Sequence, residues 1–187
     1  MISFKEHLQE AAFNPSVFLP TQKKKVELFL GRMQPIHLGH EAIIKKMKNP
    51  VVALVKGKIS SKDKERNPLS VKDQTRLLKK LFPSITIIEV PTGFVPDIIN
   101  ELRKKGLEVT TIYAGADRIN SYKAMIDGYN KKLNDNQQMI AKVKETPRVT
   151  SATTVRKAIR DNDFETFKKN MPKKLYDEYD YLRKIIK

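Results

Sequence analysis

Four apolar runs of strand length recur along this chain, each followed by a stretch of different period: Val26–Leu30, Val51–Val55, Ile85–Val90 and Val109–Tyr113. They are rich in Val, Ile and Leu and nearly continuous, as strands buried on both faces must be. Between them the spacing turns helical. Gly39–Met47 puts Ile43, Ile44 and Met47 on one side, and Ser70–Leu81 and Pro96–Lys105 follow the later strands. Ser70 suits an N-cap with Asp73 as its capping-box partner, and Gly106 suits the end of the third helix. Strands alternating with helices imply parallel pairing and a layered α/β sheet with helices on both faces. Such sheets bind ligands outside the carboxyl ends of their strands, near a topological switch point.

The rest of the chain extends this frame. Ser121–Lys144 reads as helical at first and irregular near Asn134–Asn136, with a short strand near Val143–Val149. A C-terminal helical segment covers Ala152–Asp161, Phe164–Asn170 and Lys174–Ile186. Residues 1–25 stand apart as an extension to a domain over 26–187. Within it, Ser3–Ala12 fits a short amphipathic helix, with Phe4, His7, Leu8, Ala11 and Ala12 near one face, broken by Asn14-Pro15 and Leu19-Pro20. With 40% hydrophobic and 31% charged residues over 187, the composition is that of one globular domain. No apolar run approaches the roughly 20 residues of a membrane span. Met1–Ala12 lacks the apolar stretch of a secretory signal, and cysteine is absent, so a cytoplasmic protein without disulfides or Cys-based zinc sites is expected. The net charge of +16 suits polyphosphate substrates, anionic surfaces or nucleic acid, and a solvated lysine-rich surface explains it equally well.

Three motifs fall at strand ends. The first is Gly31-Arg32-Met33-Gln34-Pro35-Ile36-His37-Leu38-Gly39-His40. Its two histidines are three apart, so a helical turn puts them on the same side. Gly39 lets a phosphate approach the backbone, and the N-terminus of the next helix offers free N–H groups. A metal pair is the rival reading, but it needs further ligands, and the remaining histidine is His7. The second is Thr150-Ser151-Ala152-Thr153-Thr154-Val155-Arg156, where hydroxyls precede a helix and Arg156 adds a charged donor for phosphate. An ordinary capped helix is the plain alternative. The third is Gly115-Ala116-Asp117, whose carboxylate suits ribose hydroxyls or simply caps a turn. A weaker one, Asn67-Pro68-Leu69-Ser70, opens the second helix after a loop carrying Lys56, Lys58, Lys62, Lys64 and Arg66.

The pattern Gly-Arg-x-Gln-Pro-x-His-x-Gly-His resembles the HxGH nucleotidyltransferases, and within them the nicotinamide mononucleotide adenylyltransferases. The cytidylyltransferases for glycerol phosphate and choline phosphate open with Gly-x-Phe-Asp, and phosphopantetheine adenylyltransferases carry Thr-x-Gly-His. The resemblance implies a Rossmann-like fold and transfer of AMP from ATP to a phosphate-bearing acceptor, with Mg²⁺ and release of pyrophosphate. The implied catalytic residues are His37, His40 and Arg156. Gly31, Arg32, Met33, Gly39, Gly115, Asp117, Ser151, Thr153 and Thr154 would hold nucleotide and phosphates. Lys56, Arg66, Phe94 and Tyr122 would face the acceptor, and Mg²⁺ would bind mainly through the triphosphate. The second motif is similar to the family's Ile-Ser-Ser-Thr-x-x-Arg, with Thr150 in place of Ile and Ala152 in place of the second Ser.

The start of the chain resembles the head-targeting peptides of tailed bacteriophages, with Leu8-Gln9-Glu10 before Ala11 as the cleavage pattern. Asp161–Pro172 is similar to phage-encoded nucleotidyltransferases. That implies a host-cytoplasmic or head-packaged protein, with DNA as a possible partner and homo-oligomers as in relatives. The alternatives are transfer to another phosphorylated acceptor, or an inactive nucleotide- or DNA-binding head protein.

Overall fold

In the computed structural model, which describes residues 23–56, 63–146 and 150–187, the apolar runs are strands of one parallel sheet. The order along the chain is β1 (Lys24–Gly31), α1 (Leu38–Lys46), β2 (Pro50–Val55), α2 (Val71–Leu81), β3 (Thr86–Val90), α3 (Val95–Lys104), β4 (Leu107–Ala114), α4 (Ala116–Asn130) and β5 (Lys142–Glu145). Helices α5 (Ala152–Arg160), α6 (Phe164–Asn170) and α7 (Tyr179–Ile185) follow. Strand order is β3-β2-β1-β4-β5, all pairs parallel. The chain therefore winds outward from β1 to β3, crosses the sheet, and winds out again through β4 and β5. The reversal lies between β1 and β4, which leaves a crevice at their carboxyl ends. This is the α/β, Rossmann-like arrangement.

Side-chain alternation along the strands splits the interior into two layers. On one face Phe29, Val52 and Leu54 meet Ile44 of α1, Leu77 and Leu78 of α2, Ile159 of α5, Phe167 of α6 and Leu182 of α7. On the other, Val26, Leu28, Leu30 and Ile112 meet Ile98, Ile99 and Leu102 of α3 and Ile126 of α4. Leu28, Val52, Leu54, Leu102 and Ile112 are fully buried, each worth about 1.5–3 kcal/mol relative to exposure. Glu27 is the buried polar residue of β1. Its carboxylate accepts from the Lys48 N–H (2.8 Å) and the Tyr113 hydroxyl (3.2 Å).

The local signals operate as expected at α2. The Ser70 side chain accepts from the Asp73 N–H, and the Asp73 carboxylate accepts from the Ser70 N–H. Gly106 takes the left-handed conformation (φ 72°) that ends α3.

Two elements differ from the sequence expectation. Helix α4 begins at Ala116 rather than Ser121, because Gly115 serves as its N-cap directly after β4. Asp117 therefore sits in the first helical turn. The expected single helix over Lys174–Ile186 divides into a 3-10 segment, Lys173–Glu178, and α7. Leu175 and Glu178 are both buried in that segment, and the 3-10 repeat is the one that places residues i and i+3 in line. The amphipathic stretch Ser3–Ala12, the cleavage pattern at Glu10, Lys58 and Lys62, and the end of the Val143–Val149 strand lie outside the described residues. Among the described residues no helix is long and apolar enough to cross a membrane.

Candidate functional site

The turn after β1 builds the first wall. Met33 adopts a left-handed backbone (φ 47°) with its side chain in the core, and the Gln34–Pro35 peptide is cis. His37 is the N-cap residue of α1, with extended backbone and no side-chain capping bond. A Cβ at Gly39 would lie 3.1 Å from the His37 ring, so glycine is what lets the imidazole rest against the first turn. His40 follows on the same side, and the two rings stack with centroids 3.7 Å apart and planes 23° from parallel. Phe29 of β1 closes on His40 at 5.6 Å.

Burial sets the charge of this pair. The Nδ1 atoms of His37 and His40 are both buried without a hydrogen-bond partner. Desolvation pushes the His37 pKa down to about 4. His40 is held well below the usual imidazole value by burial and, next, by proximity to His37. Both rings are thus neutral at pH 7, and each retains one N–H to donate.

The pH dependence of stability follows from this. An unfolded histidine keeps its proton up to about pH 6.5, whereas folded His37 has lost it above about pH 4. Between these values the unfolded chain binds more protons, so stability rises with pH. His37's contribution is complete above the unfolded pKa and is lost as pH falls through the folded one. At 1.36 kcal/mol per unit the loss is about 3 kcal/mol. Urea unfolding from neutral to acid pH should therefore fall more steeply for the native chain than for His37→Asn. Parallel profiles would contradict a neutral, buried imidazole.

The second wall comes from the start of α5. Ser151 is its N-cap and accepts from the Thr154 N–H, while the two hydroxyls lie 2.9 Å apart. Arg156, 7% exposed, forks inward. Its Nη1 donates to the Gln34 carbonyl (2.7 Å) and Nη2 to the Thr153 hydroxyl (3.3 Å), leaving Nε buried and unpartnered. Burial first, and then Arg160, lower its pKa, yet an arginine stays charged.

The third wall is the β4–α4 junction. A Cβ at Gly115 would stand 2.8 Å from Asp117 Oδ1. Glycine here makes room for the carboxylate to fold back over the strand end. Asp117 Oδ2 is 3.4 Å from Arg118 Nε, and its side chain is well exposed.

These walls enclose one cleft of about 920 Å³ across the carboxyl ends of β1 and β4. It brings together His37, His40 and Arg156, the turn glycines Gly31 and Gly39, Arg32, Met33, Gly115, Asp117, Ser151 and Thr153. Thr154 is exposed and does not line it; its N–H donates to the Ser151 cap. Arg66 also reaches the cleft, beside Asp63 at 3.7 Å.

A smaller cavity of about 280 Å³ adjoins it, and Arg32 and Gln34 line both. Lys56 lines the smaller one, paired with Glu89, together with Lys64 and Asn67.

The two aromatic residues expected near the acceptor line neither cavity. Phe94 is the N-cap residue of α3 and meets Tyr129 edge-on at 6.4 Å. Tyr122 is 7% exposed in the α4 layer of the core, where burial raises its hydroxyl pKa.

Two contributors escape the motif reading. Arg160 lines the cleft one turn beyond Arg156, and the i, i+4 spacing could have found it. Gln34 stands in the first motif, which gives it no role. Its amide Nε2 donates to the Leu69 carbonyl and its Oε1 accepts from the Leu69 N–H, both at 2.9 Å and buried. With its backbone carbonyl on Arg156, this residue ties all three segments together. Gln34→Ala removes both amide bonds and leaves a buried N–H unpaired, so a loss of about 2–3 kcal/mol is expected in urea unfolding. A change under about 0.5 kcal/mol, the size typical of neutral surface substitutions, would contradict that role.

The fold and site define an α/β protein with a polar cleft at the switch point of a parallel sheet. No protein-family model matches the chain, and none of the curated proteins matches it. Among solved structures it is similar to TmcAL of Thermotoga maritima bound with alpha-thio ATP, at a TM-score of 0.53 and 12% identity. The match covers 84% of this chain and 55% of that one, so this chain spans little more than half of its neighbour's length. The likeness is one of fold, shared with a protein that binds an ATP analogue.

Proposed function

We propose that this chain is a nucleotidyltransferase that moves AMP from ATP to a phosphate-bearing acceptor, with nicotinamide mononucleotide as the favoured acceptor and NAD and pyrophosphate as products. The observation that carries the reading is the convergence, in one cleft, of the stacked His37–His40 pair, the N-terminal turns of α1 and α5, and Arg156. The form Gly31-Arg32-Met33-Gln34-Pro35 supports the choice of acceptor, and an ATP-analogue-bound protein of similar fold supports the choice of nucleotide.

The chemistry asks little of a base. A phosphate monoester has its second pKa near 6 and is already dianionic at neutral pH. One of its oxygens attacks the α-phosphorus of ATP, and the bond from that phosphorus to the bridging oxygen of the β-phosphate breaks. Pyrophosphate leaves with the electron pair. Catalysis then rests on alignment and on donors placed where charge develops. His37 donates its N–H to an α-phosphate oxygen. His40 and the free N–H groups of α1 hold the phosphate chain. Arg156 and Ser151 take the β- and γ-phosphates as pyrophosphate forms, and Asp117 accepts from the ribose hydroxyls.

Among the described residues no three His, Asp or Glu side chains converge as metal ligands. Mg²⁺ would ride on the phosphate oxygens and neutralise the leaving group. The acceptor's own phosphate fits the smaller cavity, where Arg32, Lys56 and Lys64 supply positive charge. With Phe94 and Tyr122 away from both cavities, the acceptor is recognised here by its phosphate.

The test is an acceptor panel read by pyrophosphate release. ATP with nicotinamide mononucleotide should give the highest kcat/KM, ahead of nicotinate mononucleotide, phosphopantetheine and glycerol phosphate. Faster release with CTP, or with a different acceptor, would reassign the substrate. No acceptor-dependent release at all would remove the enzymatic reading.

A further inference from the structure

The sheet's other end carries a feature that the nucleotide cleft does not use. In a parallel sheet every helix returns its C-terminus to the amino ends of the strands, opposite the cleft. Six lysines collect there. Lys23 precedes β1 and Lys24 and Lys25 open it, Lys46 ends α1 and Lys48 lies between α1 and β2, and Lys105 follows α3. All six are exposed, and within the described residues none forms an ion pair.

The backbone fixes them side by side. The Lys24 N–H donates to the Gly106 carbonyl (3.0 Å), and the Glu27 N–H donates to the Lys48 carbonyl (3.2 Å). Asn49 Nδ2 donates to the Lys25 carbonyl (3.0 Å). Neighbouring strands are about 4.8 Å apart, so the three strand starts β2, β1 and β4 set these charges within about 10 Å across.

Helix-dipole complementarity accounts for a lysine in a last helical turn, such as Lys46. It extends to Lys105, the C-cap of α3, but does not account for Lys23, Lys24 and Lys25 at a strand start, nor for Lys48 beyond α1. Among the described residues the carboxylates nearby are few. Glu41 and Glu101 pair with Lys45 and Lys104, Glu27 is buried with its own partners, and Glu108 faces Lys25 in register. Crowded like charge on a rigid frame repels itself unless an anion covers it.

We infer that this amino-end face is a binding surface for the phosphate backbone of nucleic acid, separate from the nucleotide cleft. The spacing suits a duplex, which carries a charge about every 1.7 Å of its axis. A membrane fits less well. Among the described residues the large exposed apolar side chains are Phe94, Ile140, Phe164 and Tyr181, and of these only Ile140 lies toward this end, beside the outer strand β5.

The test uses the full chain and a short random-sequence DNA duplex, followed by fluorescence anisotropy between about 50 and 200 mM salt. The native protein should bind with a steep salt dependence. Lys24→Glu/Lys48→Glu/Lys105→Glu should lose at least tenfold in affinity and about three units of log–log salt slope. The milder Lys→Gln version of the same triple guards against a folding defect and should lose affinity in the same direction. Lys72→Glu/Lys123→Glu/Lys184→Glu makes the same change in net charge elsewhere and should lose much less. Saturating ATP should leave the DNA bound. Four results would overturn the inference: no DNA binding, equal losses in the two Glu triples, displacement of DNA by ATP, or binding to phosphatidylserine vesicles in preference to DNA.

Discussion

His37→Ala should lower kcat for adenylyl transfer by about 10²–10³-fold while the KM for ATP moves only a few-fold. The size is that of removing one donor aimed at developing charge in a water-poor site. The asymmetry follows from where His37 stands. Its ring covers the first turn of α1 and lies against Gly39, so in the proposed reaction it would meet the nucleotide at the helix N-terminus, while His40, Ser151 and Arg156 would remain to hold the phosphates in the ground state. A donor whose bond strengthens as the α-phosphate gains charge affects kcat more than KM. His37→Asn keeps an N–H in roughly the same place and should recover part of the loss. Because His37 is neutral when the site is free, with its pKa near 4, replacing it removes no buried charge. A thermal melt close to the native one would show that lost turnover is not lost folding. Near-normal turnover in a folded His37→Ala protein would contradict the assignment.

Arg156→Ala should have the second large effect, and of a different kind. Its guanidinium has two tasks. In the proposed reaction one is to hold the leaving pyrophosphate, and Nε has no partner among the described residues. The other is structural, through the bonds to the Gln34 carbonyl and the Thr153 hydroxyl. Loss of the first should raise the KM for ATP at least tenfold and cut kcat/KM by about 10³-fold, because a charge-assisted phosphate contact is present in both ground and transition states. Loss of the second leaves a buried carbonyl unpaired and costs about 1–3 kcal/mol of stability. Arg156→Lys should restore little of either, since a single ammonium cannot reproduce a planar fork that reaches three partners. The measurements are steady-state kinetics, pyrophosphate inhibition and urea unfolding. An Arg156→Ala protein with unchanged pyrophosphate affinity would place the leaving group elsewhere.

The sheet was legible because its strands are buried on both faces. Val51–Val55 and Val109–Tyr113 have no other stable use than a covered parallel sheet, and β2 and β4 follow them within a few residues. Strand order was not legible. The alternation of elements is the same whether β4 returns beside β1 or continues outward beyond β3, and the choice depends on which face α3 covers. The Ser70–Asp73 box announced α2 because capping is local. The start of α4 was missed because Gly115 caps it with no side chain to read.

The cleft gathers residues that have local reasons to stand out in the sequence: the two histidines, their glycine, and Ser151, Thr153 and Arg156 of the α5 start. What sequence could not show was made by distance along the chain. The Gln34–Leu69 clamp joins residues 35 apart and the Arg156–Gln34 bond residues 122 apart. Tyr122 and Phe94, expected to face the acceptor, line neither cavity for a related reason. An aromatic after a strand is equally suited to a ligand or to a core, and α4 and α3 turn these two away from both cavities.

The most direct test of the central claim is to follow oxygen-18 placed in the phosphate of nicotinamide mononucleotide, with ATP, Mg²⁺ and the full chain. Attack of that phosphate on the α-phosphorus predicts a labelled dinucleotide and an equal amount of unlabelled pyrophosphate, both lost in His37→Ala. Label in the released pyrophosphate, ADP and phosphate as the products, or no dinucleotide from a folded, ATP-binding protein would contradict it.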